Sequence, residues 1–128
     1  MVPSFQSFMI VALGGALGSA ARYAVALIAT KLPMQLPFGT FAANIVGCLF
    51  IGIFSQLASE AGIFSPGVRL FLMVGFCGGF TTFSTFALEL HTQLEAGDVL
   101  QAVSYAGASV VLGVLALLAG VWITKAVL

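Results

Sequence analysis

The sequence predicts an all-α integral membrane protein, and both its composition and the spacing of its apolar runs indicate this class. Hydrophobic residues make up 61% of the 128 residues and charged residues 6%, whereas soluble domains carry about 25% charged residues. Mean hydropathy is +1.19. Four apolar runs, at about residues 5–30, 39–58, 68–95 and 99–127, each reach the roughly 20 residues that cross a bilayer. We therefore expect one transmembrane domain of four helices over residues 1–128.

Small residues form one face of the first predicted span. Gly14, Gly18 and Arg22 follow one another at four-residue spacing and share a side of the helix. Such faces let helix backbones approach closely, which favours helix–helix packing. An arginine inside a span is costly and usually points into a bundle or a vestibule, although its long side chain can also reach the interface from this position. Arg22 is therefore either an anion-attracting vestibule residue or an interfacial one.

The second predicted span carries a polar and small stripe. Thr40, Asn44, Gly47 and Cys48 lie on one face at helical spacing. The carboxamide of Asn44 has two N–H donors that lipid cannot satisfy. We expect Asn44 to face protein, water or a ligand, either as a hydrogen bond between helices or as part of a pore.

The third predicted span contains the most unusual segment, residues 75–86 with the sequence GFCGGFTTFSTF. Non-helical backbone survives in the bilayer only where it is buried in protein or lines a cavity, because unpaired backbone groups are costly there. We predict that the third helix is broken mid-membrane, with Gly78 and Gly79 loosening the backbone. The alternative is a helix whose glycines only pack against a neighbour, since glycine is common in membrane helices.

Polar residues continue beyond the predicted break. Phe83 and Phe86 are three residues apart on one face, and Ser84 and Thr85 lie between them. Glu89 follows one turn after Thr85.

The fourth predicted span is apolar except for one stripe. Tyr105, Ser109 and Gly113 recur at four-residue spacing. Their two hydroxyls form a polar track, or else Ser109 bonds back to its own helix.

Positive charges give the chain little preference for one orientation in the membrane. Arg69 and Lys125 fall on the side of the N-terminus and Lys31 on the other, and Arg22 makes the balance two against two. Because positively charged loops set orientation, we expect insertion both ways. Two opposed copies would reproduce the inverted symmetry that larger transporters carry as internal repeats. We predict a dual-topology antiparallel homodimer surrounded by membrane lipid.

The residue types favour anion transport over catalysis. The sequence contains no Ser–His–acid set, HExxH motif, phosphate-binding glycine loop or paired carboxylates at membrane depth, so we expect no enzyme. Zero net charge and the lack of a basic block argue against nucleic acid as a partner. The spans instead collect neutral donors, and the electropositive edges of phenylalanine rings add to them. A small hard anion leaving water needs such donors at every step.

Two other functions remain open from the residues alone. A small multidrug-type four-helix transporter would share the size and dual topology, but its exchange chemistry needs a carboxylate deep in the first helix, where this chain has Arg22. A non-transporting membrane assembly subunit would explain the glycine faces but not the donors clustered around a helix break.

Over essentially its whole length the sequence resembles the CrcB/Fluc family of microbial fluoride channels. The resemblance rests on GGFTTFSTF at residues 78–86, on PFGTFAAN at residues 37–44 and on the glycine-rich first span with Arg22. It implies a multi-pass protein of a microbial plasma membrane, the inner membrane in a Gram-negative cell. It also implies a dual-topology homodimer with two antiparallel pores for passive fluoride export and a structural sodium ion at the dimer centre.

The resemblance also implies roles for individual residues. The backbone carbonyls of Gly78 and Thr81 would hold the sodium ion, and Arg22 and Glu89 would lie in a vestibule. Gly113 departs from the pattern, because some members carry a serine at this position. The fluoride pore would be lined by Asn44, Phe83, Ser84, Thr85, Phe86, Tyr105 and Ser109.

Overall fold

The computed structural model describes residues 3–34, 36–60 and 62–128, and these residues form helices and connecting segments. Helix α1 is Phe5–Ala29 and α2 is Phe38–Ser59. The third span, Pro66–Glu95, divides into α3 (residues 66–80) and α4 (Phe83–Glu95), and α5 is Val99–Val127. Four helical stretches of the described chain are long and apolar enough to cross a membrane. The predicted all-helical class with four spans is confirmed.

Local capping explains where two of the helices begin and end. The Ser4 hydroxyl accepts a hydrogen bond from the Ser7 N–H at 3.2 Å, which satisfies a free donor at the start of α1. At the end of α4, Gly97 adopts a φ of +83°, a conformation that glycine takes without strain. This turn lets the Asp98 N–H donate to the Gln93 carbonyl at 2.9 Å and closes the helix end.

Helix α1 packs closely along α3. A methyl group added at Gly14 would overlap the Phe71 carbonyl, and one added at Gly18 would overlap the Phe76 carbonyl. Only glycine at these positions allows the α1 and α3 backbones to approach so closely, and faces of small residues commonly have this role in membrane helices. The packing face predicted for the first span is confirmed.

Helix α2 packs against α5 in the same way. A side chain at Gly52 would overlap the Leu117 carbonyl, and one at Gly120 would overlap the Leu49 carbonyl. The fold is therefore built from two close helix pairs. Helix α1 also contacts α2. Both halves of the third span contact α2, while α3 lies mainly against α1 and α4 mainly against α5.

The outer surface of this bundle is apolar. At most 22% of the most apolar window of any span is buried within the chain. Large apolar side chains such as those of Phe5, Leu100 and Trp122 are exposed. A continuous apolar surface of this extent is typical of a protein surrounded by lipid or by further protein.

The third span changes conformation before it breaks. Residues Leu70–Cys77 are π-helical, a rare conformation that occurs mostly as short stretches, frequently at functional sites. The backbone then returns to α-helix at Gly78–Phe80. Thr81 (φ −86°, ψ 156°) and Thr82 (φ −150°, ψ 122°) are extended. These two residues separate α3 from α4.

The interruption of the third helix agrees in outline with the prediction, but the mechanism predicted for it is wrong. Gly78 and Gly79 are helical rather than loose. At Gly79 the missing side chain serves packing, because a methyl group there would overlap the Gly15 carbonyl of α1. The extended residues, Thr81 and Thr82, are β-branched, a class that favours extended backbone.

Candidate functional site at the helix break

Asn44 of α2 holds the extended segment between α3 and α4. Its Oδ1 accepts a hydrogen bond from the Thr82 N–H at 2.7 Å, and its Nδ2 donates to the Thr82 carbonyl at 3.0 Å. Both backbone groups of Thr82 are therefore satisfied outside a helix, which the bilayer would otherwise penalise. Asn44 thus links two spans. Its second Nδ2–H has no acceptor among the described residues and stays available to a ligand.

Arg22 reaches the same segment from α1. Its Nε donates to the Gly79 carbonyl at 3.1 Å, and the Ser19 hydroxyl lies 3.5 Å from the same oxygen. The Arg22 side chain is half-buried. This contact ties the guanidinium to α3.

An open cleft of about 360 Å³ lies beside the break. Residues of α2, α3 and the start of α4 line it, including Asn44, Gly78, Thr81, Thr82 and Phe83. The Phe83 ring is 79% exposed. Residues with backbone carbonyls that are unpaired among the described residues, and with hydroxyl groups, therefore line a cleft that is open to the outside of the chain, and lipid would not satisfy such polar groups.

Three aromatic rings run from the cleft into the interior. The Phe83 and Phe86 centroids lie 5.7 Å apart with the planes at 54°. The Phe86 and Tyr105 centroids lie 5.1 Å apart in an edge-to-face arrangement at 62°. Phe86 and Tyr105 are buried. Tilted rings of this kind present electropositive edges as well as faces to their neighbours.

Hydroxyl groups cluster where α4 begins. The Thr82 Oγ1 accepts a hydrogen bond from the Thr85 N–H at 3.3 Å, as an N-cap residue does. It also donates to the Thr85 Oγ1 at 3.1 Å and lies 3.4 Å from the Ser84 Oγ. The partial positive charge at a helix N-terminus favours an anion beside these groups.

Glu89 lies farther along α4 and joins three helices. Its Oε1 accepts a hydrogen bond from the Thr40 hydroxyl at 2.6 Å, and its Oε2 accepts one from the Tyr105 hydroxyl at 2.8 Å. Short bonds to a carboxylate of this kind are stronger than those between neutral groups. Arg22 and Glu89, which the resemblance places together in a vestibule, bind different partners here.

The stripe on α5 continues to Ser109. The Ser109 Oγ is buried and has no hydrogen-bond partner among the described residues. A bond back to its own helix is thus not observed. Leaving a buried hydroxyl unsatisfied costs about 1–3 kcal/mol, so a water or a permeating ligand suits this position. Beyond it, a side chain at Gly113 would stand 3.4 Å from the Cys48 Sγ.

For two residues of this site, Thr82 and Thr40, the sequence analysis did not predict the contacts that they make. Thr82 carries a local signal, since a threonine directly before an apolar helix is a typical N-cap. Thr40 has no such signal for its role, because its partner Glu89 lies 49 residues away. Only the packing of α2 against α4 brings the two together.

The fold and the site define a multi-pass helical membrane protein whose polar groups collect around an interruption of one spanning helix. Residues 9–121 match the family model described as "CrcB-like protein, Camphor Resistance (CrcB)". The chain belongs to this family.

Individual relatives match over nearly the whole chain. A protein of Chlorobium phaeobacteroides (strain DSM 266) is 43% identical over 98% of this chain and 97% of its own length. One of Hyphomonas neptunium is 48% identical over 94% of this chain and 96% of its own length. One of Paracoccus denitrificans is 44% identical over 94% of this chain and 95% of its own length. All three are named "Fluoride-specific ion channel FluC".

Proposed function

We propose that this chain is a fluoride-selective ion channel that lowers cytoplasmic fluoride by passive export. The observation that carries the proposal is the near full-length likeness to proteins named fluoride-specific ion channels. The same relatives make the protein a channel rather than an enzyme. Their bacterial sources and the four apolar helices indicate a multi-pass protein of a microbial plasma membrane, the inner one in a Gram-negative cell.

Passive export suffices because of how fluoride enters a cell. Hydrogen fluoride from acid surroundings crosses the membrane as a neutral molecule, dissociates in a neutral cytoplasm and is retained there as the ion. A selective pore lets the ion leave down its electrochemical gradient.

The fluoride path in this proposal follows the donors around the break and along α5. It begins near the half-buried Arg22, whose charge attracts the anion. The free Nδ2–H of Asn44, the hydroxyl cluster at the start of α4 and the unpartnered Ser109 hydroxyl support it. Narrowness and a high density of hard donors would favour fluoride over chloride. The residues assigned to the path are Asn44, Phe83, Ser84, Thr85, Phe86, Tyr105 and Ser109.

A second, oppositely oriented copy is part of the proposal. The open cleft beside the break is lined by Gly78, Thr81, Thr82 and the exposed Phe83. A protein surface meets their hydrogen-bonding needs and lipid does not. We propose an antiparallel homodimer with two pores. The second copy covers this cleft, and lipid surrounds the rest of the dimer. The nearly even distribution of positive charge supports insertion in both orientations.

A structural sodium ion at the dimer centre completes the proposal. The carbonyls of Gly78 and Thr81 fit this group, because both residues line the cleft and, among the described residues, the Thr82 and Thr85 N–H groups that would bond to these carbonyls in a helix donate to side chains instead. Carbonyls at the end of an interrupted helix bind sodium in membrane transporters. A bound sodium ion would supply a fixed positive charge between the two copies.

Fluoride efflux from proteoliposomes, followed with an ion-selective electrode, tests this function. We expect the purified protein to release fluoride much faster than chloride, and Phe83→Ile to reduce the release sharply while the protein stays dimeric. Phe5→Ile, the same exchange at an 82% exposed ring near the start of α1, should have no effect.

The same assay separates the alternatives. Proton-coupled uptake of a cationic drug without fluoride release would favour the multidrug-type transporter. No transport of either by a dimeric, folded protein would favour an assembly subunit.

A further inference from the structure

Two side chains divert the helical partners of the Gly78 and Thr81 carbonyls. In an uninterrupted α-helix the Gly78 carbonyl accepts from the Thr82 N–H, and the Thr81 carbonyl accepts from the Thr85 N–H. Here the Thr82 N–H donates to the Asn44 Oδ1 at 2.7 Å. The Thr85 N–H donates to the Thr82 Oγ1 at 3.3 Å. Because a named side chain has taken its donor, each carbonyl is left without a hydrogen-bond donor among the described residues.

The Gly79 carbonyl, which lies between them in the sequence, is occupied by a different contact. The Gly79 oxygen accepts the Arg22 Nε–H at 3.1 Å. Gly79 and Phe80 do not line the cleft, whereas Gly78 and Thr81 do. The two residues of the broken turn whose carbonyls have lost their helical donors are thus the two that line the cleft.

We propose that Asn44 and Thr82 are positioning residues for a monovalent cation, because they free the Gly78 and Thr81 carbonyls. Arg22 takes part by occupying the Gly79 carbonyl. This inference rests on the sodium ion of the proposed function, and it assigns Asn44 a role besides lining the fluoride path. Neutral carbonyl oxygens suit a hard monovalent cation. Hard divalent cations such as calcium and magnesium are usually bound by carboxylates.

The Thr82 side chain offers the sharper test, because the bonds of Asn44 go to the Thr82 backbone and survive its replacement. Thr82→Val has nearly the same shape but cannot accept the Thr85 N–H, which then returns to the Thr81 carbonyl. Thr82→Ser keeps the acceptor. Thr92→Val is the matched control, since the Thr92 hydroxyl donates to the Leu88 carbonyl of its own helix in an exposed part of α4 and has no partner on another described helix.

The measurement is thermal unfolding of the full-length protein in detergent while sodium replaces N-methylglucamine at constant ionic strength. We expect wild type, Thr82→Ser and Thr92→Val to be stabilised by sodium with the same half-saturating concentration. For Thr82→Val we expect the half-saturating sodium concentration to rise about tenfold, because the Thr81 carbonyl must give up its hydrogen bond to the Thr85 N–H before it binds the cation, and one such bond corresponds to about that factor in affinity. Asn44→Ala, which returns the Thr82 N–H to the Gly78 carbonyl, should act in the same direction and serves if Thr82→Val does not fold.

The outcomes distinguish a failure of this positioning role from a failure of the proposed sodium site or of the proposed channel function. Equal sodium dependence in wild type, Thr82→Val and Asn44→Ala would overturn the positioning role and leave the cation in place. If sodium does not stabilise the wild type, both the positioning role and the proposed cation are wrong. Fluoride release by the same preparation then shows whether channel activity stands without them.

Discussion

The Tyr105 hydroxyl donates a 2.8 Å hydrogen bond to the Glu89 Oε2 and so ties α5 to α4 beside the Phe86 ring. A phenol has a single proton. While this bond holds, the proton is directed at a carboxylate and not at a passing anion. In the proposed fluoride path Tyr105 would therefore act by placing Glu89, or else after its hydroxyl has turned away from that carboxylate.

Tyr105→Phe tests the importance of this bond. The variant keeps the ring that packs on Phe86 but leaves Glu89 with Thr40 as its remaining described donor. Losing a hydrogen bond to a charged group lowers the free energy of unfolding by about 1.5–3 kcal/mol, and we expect fluoride release to fall several-fold. Thermal unfolding and electrode-measured efflux report the two effects.

A matched control for this exchange lies on α1. Tyr23 is 66% exposed, and Tyr23→Phe removes the same atom without loss of a bond in the interior. If both exchanges lower stability and efflux equally, the link between Tyr105 and Glu89 has no special importance.

Ser109→Ala is expected to separate stability from transport. The Ser109 hydroxyl is buried without a partner among the described residues, so its removal takes away no internal hydrogen bond. Stability should stay the same or rise by up to about 1 kcal/mol as an unsatisfied group is lost. Fluoride release should nevertheless fall, because the path loses a donor. Ser55→Ala, which removes a hydroxyl bonded to its own helix at Gly52, should leave efflux unchanged, and a normal rate in Ser109→Ala would exclude Ser109 from the path.

Much of the fold could be predicted from the length of the apolar runs, because a membrane helix needs about 20 consecutive apolar residues. The spacing of Gly14 and Gly18 also identified the face that meets α3, since close approach needs a continuous row of small residues. The π-helical stretch Leu70–Cys77 left no such trace. It is uniformly apolar, and a change from 3.6 residues per turn is invisible without alternating polar positions.

The site was less predictable because its contacts are long-range. Gly79 resembled a loosened position, yet its role depends on the Gly15 backbone of another helix. Asn44 was recognisable as a buried donor, but not as a residue bound twice to Thr82. Its partners lie 38 residues away and become neighbours only once α2 and the third span have packed.

Gly18→Ala tests the packing that positions Arg22. The added methyl group would overlap the Phe76 carbonyl, a backbone atom that cannot turn aside. We expect α1 and α3 to separate slightly, with a loss of about 1–3 kcal/mol in the free energy of unfolding, as overpacking usually costs. Gly107→Ala is the control, because no described atom beyond the adjacent turns of its own helix backbone lies within 4 Å of a methyl group added there. The better helix propensity of alanine should stabilise α5 slightly. Equal stability of the two variants in thermal unfolding would argue against close α1–α3 packing.

Orientation can be tested by adding charge to one side of the membrane at a time. Glu60→Lys with Ile63→Lys adds positive charge between α2 and α3, while Leu32→Lys with Met34→Lys adds it on the opposite side, after α1. Because positively charged loops stay in the cytoplasm, each double variant should insert in a single, opposite orientation, as a reporter fused to the C-terminus would show. Expressed alone, each should fail to protect cells from fluoride, since an antiparallel dimer needs both orientations. Expressed together, the two should restore protection. Full protection by either variant alone, with its reporter entirely on one side, would mean that the functional assembly is not antiparallel.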